Sequence, residues 1–530
     1  MKAVFLPYIM INSKNKHLIG RTQKGNSMNK TGTTEVTAKT GHYVGRVDEK
    51  SVASFLGVRY AVPPKRWRRA ESLPPSEERF EAFNLLDAAP QPIEGPDEWS
   101  VIPPMSEDCL WLNIWNNENG QKDKPVLVWI HGGSFMTGSP RFECMHGAYG
   151  GDLSDMAARH PDIVFVSIGF RVNLLGSIAL DAFPDRADYT DTTDLIIYDM
   201  IEALKWIHEN ISAFSGNPDD VTIMGQSAGG WAVLALCVLP EANKYFRKAI
   251  PSSSGPSEYF GGRTKDLLYA QSQKTKEVLG VNSMAELLAL PSQVLADKAP
   301  ELLMQGVNFE PVFGGSLMPL HIREAWQSGI AKHITMLTGS VAGEMDTMTV
   351  GWSDEQIRKA LPAMVAKEPA LPDIYRSNYP DRDEITSLKD MLNDARIRCR
   401  LMVNVEDFLT GGGKAYVWYC DYMAENGLLR TQHVFDVVYV FNKLENGARM
   451  NGIPEPTATF EPNHKLQKEM EAAWMQFVKK GDPNCPEIGV SWLPYTGKER
   501  DTMRINRTWE LVHGGIRPKD YDAAMQLHLK

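Results

Sequence analysis

The sequence predicts an α/β fold with a large, mostly parallel, twisted central sheet covered by helices on both faces, and three observations carry that expectation. Short continuous apolar runs at 126–130, 163–168 and 221–224 have the length and β-branched content of strands buried on both faces. Between the second and third runs lies a helical stretch, about 193–214, in which Leu204, Ile207, Ile211 and Phe214 recur at steps of three and four. Two glycine-rich segments, His131-Gly132-Gly133-Ser134 and Gly225-Gln226-Ser227-Ala228-Gly229, directly follow such strands. Ligands of open α/β sheets bind beyond the carboxyl ends of the strands, so both segments stand where chemistry is expected.

Taken in order, residues 1–40 read as a loosely ordered N-terminal extension, with Met28 as an alternative start. Its apolar run is broken by Pro7 and followed by Asn12-Ser13-Lys14 rather than a small-residue cleavage site, which makes a poor signal peptide. One domain is expected over 41–530. The alternation across 41–61 predicts antiparallel strands ahead of the turn Val62-Pro63-Pro64, and a proline-rich loop follows at about 90–104. The segment 107–115 alternates again and reads as a strand. Asn217-Pro218-Asp219-Asp220 reads as a turn into the strand before Ser227. Residues 256–327 and 352–411 read as helical insertions, the second more polar. Between them Ile334-Thr335-Met336-Leu337-Thr338 forms a strand leading to Gly343-Glu344, and Ala415-Tyr416-Val417-Trp418-Tyr419 forms another leading to the loop that carries His433. A final amphipathic helix at 466–480 stops at Gly481-Asp482-Pro483.

Composition narrows the partners. A formal net charge of −10 argues against nucleic acid or an anionic membrane surface, since both require clustered positive charge. The basic cluster at 65–69 reads as a solvated loop. No apolar run approaches the roughly 18 residues needed to cross a bilayer, so no integral membrane segment is expected. The six cysteines, Cys109, Cys144, Cys237, Cys399, Cys420 and Cys485, show no C-x-x-C and no zinc-ligand spacing, and read as reduced thiols.

The segment 225–229 matches a G-x-S-x-G elbow, a strained strand-to-helix turn that exposes the serine Oγ. Side chains at Gly225 and Gly229 would collide with neighbouring backbone, so the spacing has a steric cause. A serine hydroxyl is a weak nucleophile and needs a base oriented by a third group, and in elbow-type enzymes the order is Ser, then Asp or Glu, then His. Glu344 is the preferred acid over Asp346, because it lies nearer the strand end. Of the histidines that follow it, His464 and His528 read as exposed, His513 as a competitor, and His433, at a sheet end, as the base. The loop 131–134 matches an HGGG-type oxyanion loop, and the Ala228 N–H adds another donor.

With these motifs in hand the sequence resembles the type-B carboxylesterase/lipase family, the cholinesterase-like branch of the α/β-hydrolase fold, over residues 41–511. The carrying segments are 55–64, Glu107-Asp108-Cys109-Leu110 with Leu112-Asn113-Ile114, 131–135, 225–230, Phe309-Glu310-Pro311-Val312, 339–344 and the His433 segment. The resemblance implies a serine esterase acting on a small-molecule ester. Its catalytic residues would be Ser227, Glu344 and His433, its oxyanion hole Gly133, Ser134 and Ala228, and no metal or organic cofactor would be needed. Three departures stand out. Gln226 replaces the glutamate often found before the nucleophile, Ser134 replaces a glycine, and 57–60 reads Gly-Val-Arg-Tyr. Secreted members pair the Cys109 equivalent with an upstream cysteine, and none precedes Cys109, so the resemblance implies a cytoplasmic enzyme. Two alternatives remain at this point: a non-catalytic cholinesterase-like binding protein, and an amidase or lactonase using the same three residues.

Overall fold

The computed structural model describes residues 32–92, 103–141, 151–256, 264–366, 368–423, 430–444 and 461–529. Residues 1–31 of the expected extension, most of the proline-rich loop and Cys144 lie outside the described residues, as does the His528 side chain. The strands, in chain order, are β1 (Gly32–Ala38), β2 (Gly41–Val47), β3 (Val52–Arg59), β4 (Arg79–Glu81), β5 (Trp111–Asn117), β6 (Lys124–Ile130), β7 (Val164–Ile168), β8 (Gly216–Gln226), β9 (Lys248–Ser252), β10 (Thr335–Val341), β11 (Lys414–Cys420), β12 (Thr502–Ile505) and β13 (Trp509–Val512). The expected helical insertions hold Lys265–Leu279, Met284–Ala289, Ser292–Met304 and Ile322–Gln327, then Asp354–Met364, Leu371–Asn378, Glu384–Asn393 and Cys399–Thr410.

The chain divides into two compact units. The first comprises the chain up to Trp129 with Met136–Val221 and Gln271–Phe309. Its strands β1, β2, β3, β5 and β7 pair antiparallel in that order, with β4 parallel on β2. Strand β1 occupies residues assigned to the extension by sequence, and corrects that boundary. Thr33, Glu35 and Thr37 are exposed and its sequence is polar, so no apolar pattern marks it, and its pairing with β2 from Gly32↔Val47 to Ala38↔Gly41 makes it a strand. The helix Leu195–Asn210 buries Met200, Ala203, Leu204 and Ile207, the face that the periodicity implied. Beside it Arg171 and Asp199 form a buried, two-pronged ion pair.

The second unit comprises Ile130–Phe135, Thr222–Ala270 and Glu310–Lys530. Here β8, β9, β10, β11 and β12 run parallel and β13 closes the edge antiparallel. The sheet is therefore mixed, with β4 parallel on β2 in the first unit and a parallel run from β8 to β12 in the second. The register Gln226↔Ser252, Gly339↔Ser252 and Val341↔Cys420 brings the carboxyl ends of β8 to β11 to one edge. Residues 217–220, expected as a turn, are part of β8. The chain reverses earlier, at Ser215, which takes a left-handed φ of 70°.

Candidate active site

Residues 221–226 of β8 are buried, and the strand ends abruptly at Ser227, whose φ of 57° and ψ of −126° are unusual for a side chain with a Cβ. Such strain costs about 1–3 kcal/mol and persists only where surrounding structure enforces it. Here the enforcement is visible: the Ser227 N–H donates to Ser252 O at 3.0 Å, and Ser227 O accepts from the Trp231 N–H at 2.9 Å, opening the helix Ala228–Cys237. The flanking glycines are sterically required. A Cβ on Gly225 would lie 2.4 Å from Gly229 O, and one on Gly229 would lie 2.2 Å from Ile130 O.

Glu344 follows β10 and folds back on it, Oε1 accepting the Val341 N–H at 2.9 Å. Its Oε2 accepts from His433 Nδ1 at 2.5 Å. Glu344 is fully buried, while 13% of the His433 side chain remains exposed. In the neutral ring this contact places the proton on Nδ1 and leaves Nε2 with its lone pair. His433 is carried on a strained turn, because Val434, a β-branched residue, takes φ 83° before the helix Phe435–Val440. The Gly343 N–H donates to Thr431 O at 2.9 Å and ties the acid's loop to the histidine's loop. Among the described residues no hydrogen bond links Ser227 Oγ to His433. The imidazole instead faces the carboxamide of Gln226, whose Nε2 lies 3.3 Å from both ring nitrogens.

The competing residues are placed elsewhere. His513 pairs with Asp501 at 2.5 Å and is 70% exposed, and His464 is half-buried on the helix Glu461–Lys480. Asp346 is occupied by Arg430 Nη2 at 2.9 Å and by Asn393 Nδ2 at 3.1 Å.

The loop expected to supply the oxyanion donors leaves β6 through three consecutive residues with positive φ: Gly133 at 103°, Ser134 at 58° and Phe135 at 56°. Phe135 is buried edge-on against Trp231, 5.5 Å between centroids, which pins the loop to the helix that begins with Ala228. His131 is buried with Nδ1 2.8 Å from Gly132 O, and burial lowers its pKa to about 4, so it is neutral at pH 7.

Two features near the site were not read from the sequence. Asp436 is buried with Oδ1 lacking a hydrogen-bond partner, and its carboxyl is pushed up to about 7, mainly by burial and then by the charge of Glu344. A charged residue inside the apolar run 434–441 was the available signal. Asn393 braces the Glu344 loop, donating to Ala342 O at 2.8 Å and accepting the Met345 N–H at 2.7 Å, and no local sequence signal marks it. Among the described residues no group of three or more His, Cys, Asp or Glu side chains could hold a metal ion, and no helix is long and apolar enough to cross a membrane.

Comparison with known proteins adds independent findings. The model of the carboxylesterase family matches residues 32–524. The chain is 29% identical over 493 residues to the para-nitrobenzyl esterase of Bacillus subtilis, covering 89% of this chain and 94% of that protein. It is 25% identical over 533 residues to the acetylcholinesterase of Bungarus fasciatus, covering 90% and 83% of the two chains. Among solved structures it resembles the carboxylesterase of Geobacillus stearothermophilus with a TM-score of 0.78 and 27% identity, over 93% of this chain and 100% of that one. The strained serine elbow, the positive-φ loop after β6 and the acid–histidine pair thus sit on a matched framework spanning nearly the whole chain. The chain belongs to the carboxylesterase family, carboxylic-ester hydrolases of the α/β-hydrolase fold.

Proposed function

We propose that this ester hydrolase works through a covalent acyl-enzyme in which Ser227 is the nucleophile, His433 the general base and Glu344 the group that orients and stabilises it. The observation that carries the reading is the 2.5 Å contact between buried Glu344 Oε2 and His433 Nδ1, set at the same sheet edge as the strained Ser227 elbow. His433 Nε2 takes the Oγ proton as Oγ attacks the ester carbonyl, and the carbonyl π pair moves to oxygen. Backbone N–H groups of Gly133, Ser134 and Ala228 receive that oxyanion, and each such donor typically contributes about 3–4 kcal/mol. The imidazolium returns its proton to the leaving alcohol, and water repeats the sequence to release the acid. The substrate is a small ester. The free cysteines, four of them buried, support a reducing, cytoplasmic setting.

Ser227→Ala is expected to lower hydrolysis of p-nitrophenyl acetate by on the order of 10⁴-fold or more and to abolish labelling by a fluorophosphonate. Unchanged hydrolysis would sink the nucleophile assignment. A folded wild-type protein that takes up no label would point instead to a non-catalytic binding role.

A further inference from the structure

We propose that Arg430 is a positioning residue for hydrolysis: its guanidinium ties the loop that carries His433 to the loop that carries Glu344, anchors both to the helix Glu384–Asn393, and so sets the contact that orients the base. The proposal rests on the Ser227–His433–Glu344 reading and deepens it.

The two loops leave neighbouring parallel strands, β10 and β11, which stay paired to their ends at Val341↔Cys420. Backbone carries the connection a little further, the Ala342 N–H donating to Cys420 O at 2.8 Å and the Gly343 N–H to Thr431 O at 2.9 Å. From Glu344 onward side chains take it over. Arg430, three residues before His433, grips Asp346, two residues after Glu344, with two prongs: Nε donates to Oδ2 at 3.1 Å and Nη2 to Oδ1 at 2.9 Å. Its remaining arm, Nη1, donates to Asp390 on the helix Glu384–Asn393. Asp390 and Asn393 are both buried, and their spacing of three residues puts them on one face of that helix. Asn393 Nδ2 meets Asp346 Oδ1 at 3.1 Å, and its carboxamide holds the chain on both sides of Glu344, at Ala342 O and at the Met345 N–H. Asp346 is thus the point where the base's loop, the acid's loop and the helix converge.

A planar guanidinium can direct donors at two carboxylates at once, whereas an ammonium is a point charge without a fork. The 2.5 Å contact between Glu344 and His433 spans the same two loops that this fork joins, so a change in the fork is passed to it. An ion pair with a purely structural place is available for comparison. Arg323 grips Asp407 in the same two-pronged way, at 2.7 Å and 3.2 Å, but it joins the helices Ile322–Gln327 and Cys399–Thr410 and lies on neither loop.

The test is steady-state hydrolysis of p-nitrophenyl acetate by Arg430→Lys, Asp346→Asn and the double variant, with Arg323→Lys as control and active sites counted by fluorophosphonate labelling. Arg430→Lys keeps the charge and loses the fork. Its kcat per labelled site should fall about tenfold with KM retained, within the roughly 10²-fold that a placement error of about 1 Å typically costs. Asp346→Asn should behave alike, and the double variant should be no slower than the slower single one, because all three break the same link. Arg323→Lys should keep the wild-type kcat and KM. If both single variants turn over at the wild-type rate per labelled site, if their losses multiply, or if Arg323→Lys slows as Arg430→Lys does, the clamp is overturned while the triad reading stands. If Arg430→Lys does not fold, an unchanged kcat in Asp346→Asn overturns the proposal alone. Wild-type activity in Ser227→Ala would instead remove the reading on which it rests.

Discussion

At Asp436 a carboxyl group sits in the first turn of the helix Phe435–Val440 with about 1% of its surface exposed and one oxygen unpartnered. Its pKa rises from 3.8 to about 7, first because burial penalises the charged form and then because Glu344 is a neighbouring negative charge, with His433 opposing. The sign for stability follows directly. Between about pH 4 and 7 the folded chain holds a proton that the unfolded chain has released, so this group's favourable contribution is complete below its ordinary pKa and is lost as pH rises through 7. The ionised form then costs up to about 4 kcal/mol relative to acid conditions. Asp436→Asn removes the titration without removing the shape. The variant is expected to unfold at a higher temperature than wild type at pH 8 and to lose that advantage by pH 4, as read by calorimetry at both pH values. Parallel stability curves for the two proteins would show that Asp436 does not titrate in this window.

At the scale of elements, the helix Ala228–Cys237 has to start within van der Waals reach of the loop that leaves β6. Gly229 measures how close: a Cβ there would meet Ile130 O at 2.2 Å, His131 O at 2.8 Å and backbone on every near side. No flexible side chain can yield, so Gly229→Ala must move either the helix or the loop that leaves β6. Because an error of about 1 Å in catalytic placement typically costs about 10²-fold in rate, activity should fall at least that far. Overpacking should also remove about 1–3 kcal/mol of stability. Gly497→Ala, where an added Cβ meets nothing within 4 Å, is the matched control and should be neutral. Equal activity in the two variants would mean that the elbow and the loop after β6 tolerate more movement than their contacts imply. The same element shows how far local pattern reaches. The apolar run 221–224 and the glycines around Ser227 spell a strand, an elbow and a helix within a few residues, so they are legible without the fold. Asn217-Pro218-Asp219-Asp220 has the residues of a turn and nevertheless opens β8, because strand propensity depends on its context and weak local turn chemistry yields to it.

Across the whole molecule, legibility follows the range of the interaction. Ser227, Glu344 and His433 could be picked out because each follows a recognisable strand and the three keep a chemically required order. The contact between Gln226 and His433 joins positions 207 apart, and only the register of β8 to β11 brings it about. Strand β1 was missed for a related reason, since its polar residues become a strand only by pairing with β2. Burial of the thiols is long-range in the same sense. Cys109, Cys237, Cys399 and Cys420 are free and buried, and Cys485 is free and partly buried. Burial is the leading cause that raises each thiol's pKa, that of Cys420 to about 12 and that of Cys485 to about 11. A thiol held protonated is a poor nucleophile, so the four buried ones should resist an aromatic disulfide reagent until the chain unfolds. Dithiothreitol should leave the midpoint of thermal unfolding in place, whereas loss of one structural disulfide would cost about 2–4 kcal/mol and lower the midpoint by several degrees. A reductant-dependent fall of that size, or prompt labelling of Cys109 in the native protein, would show that its thiols are neither sealed nor free as the fold holds them.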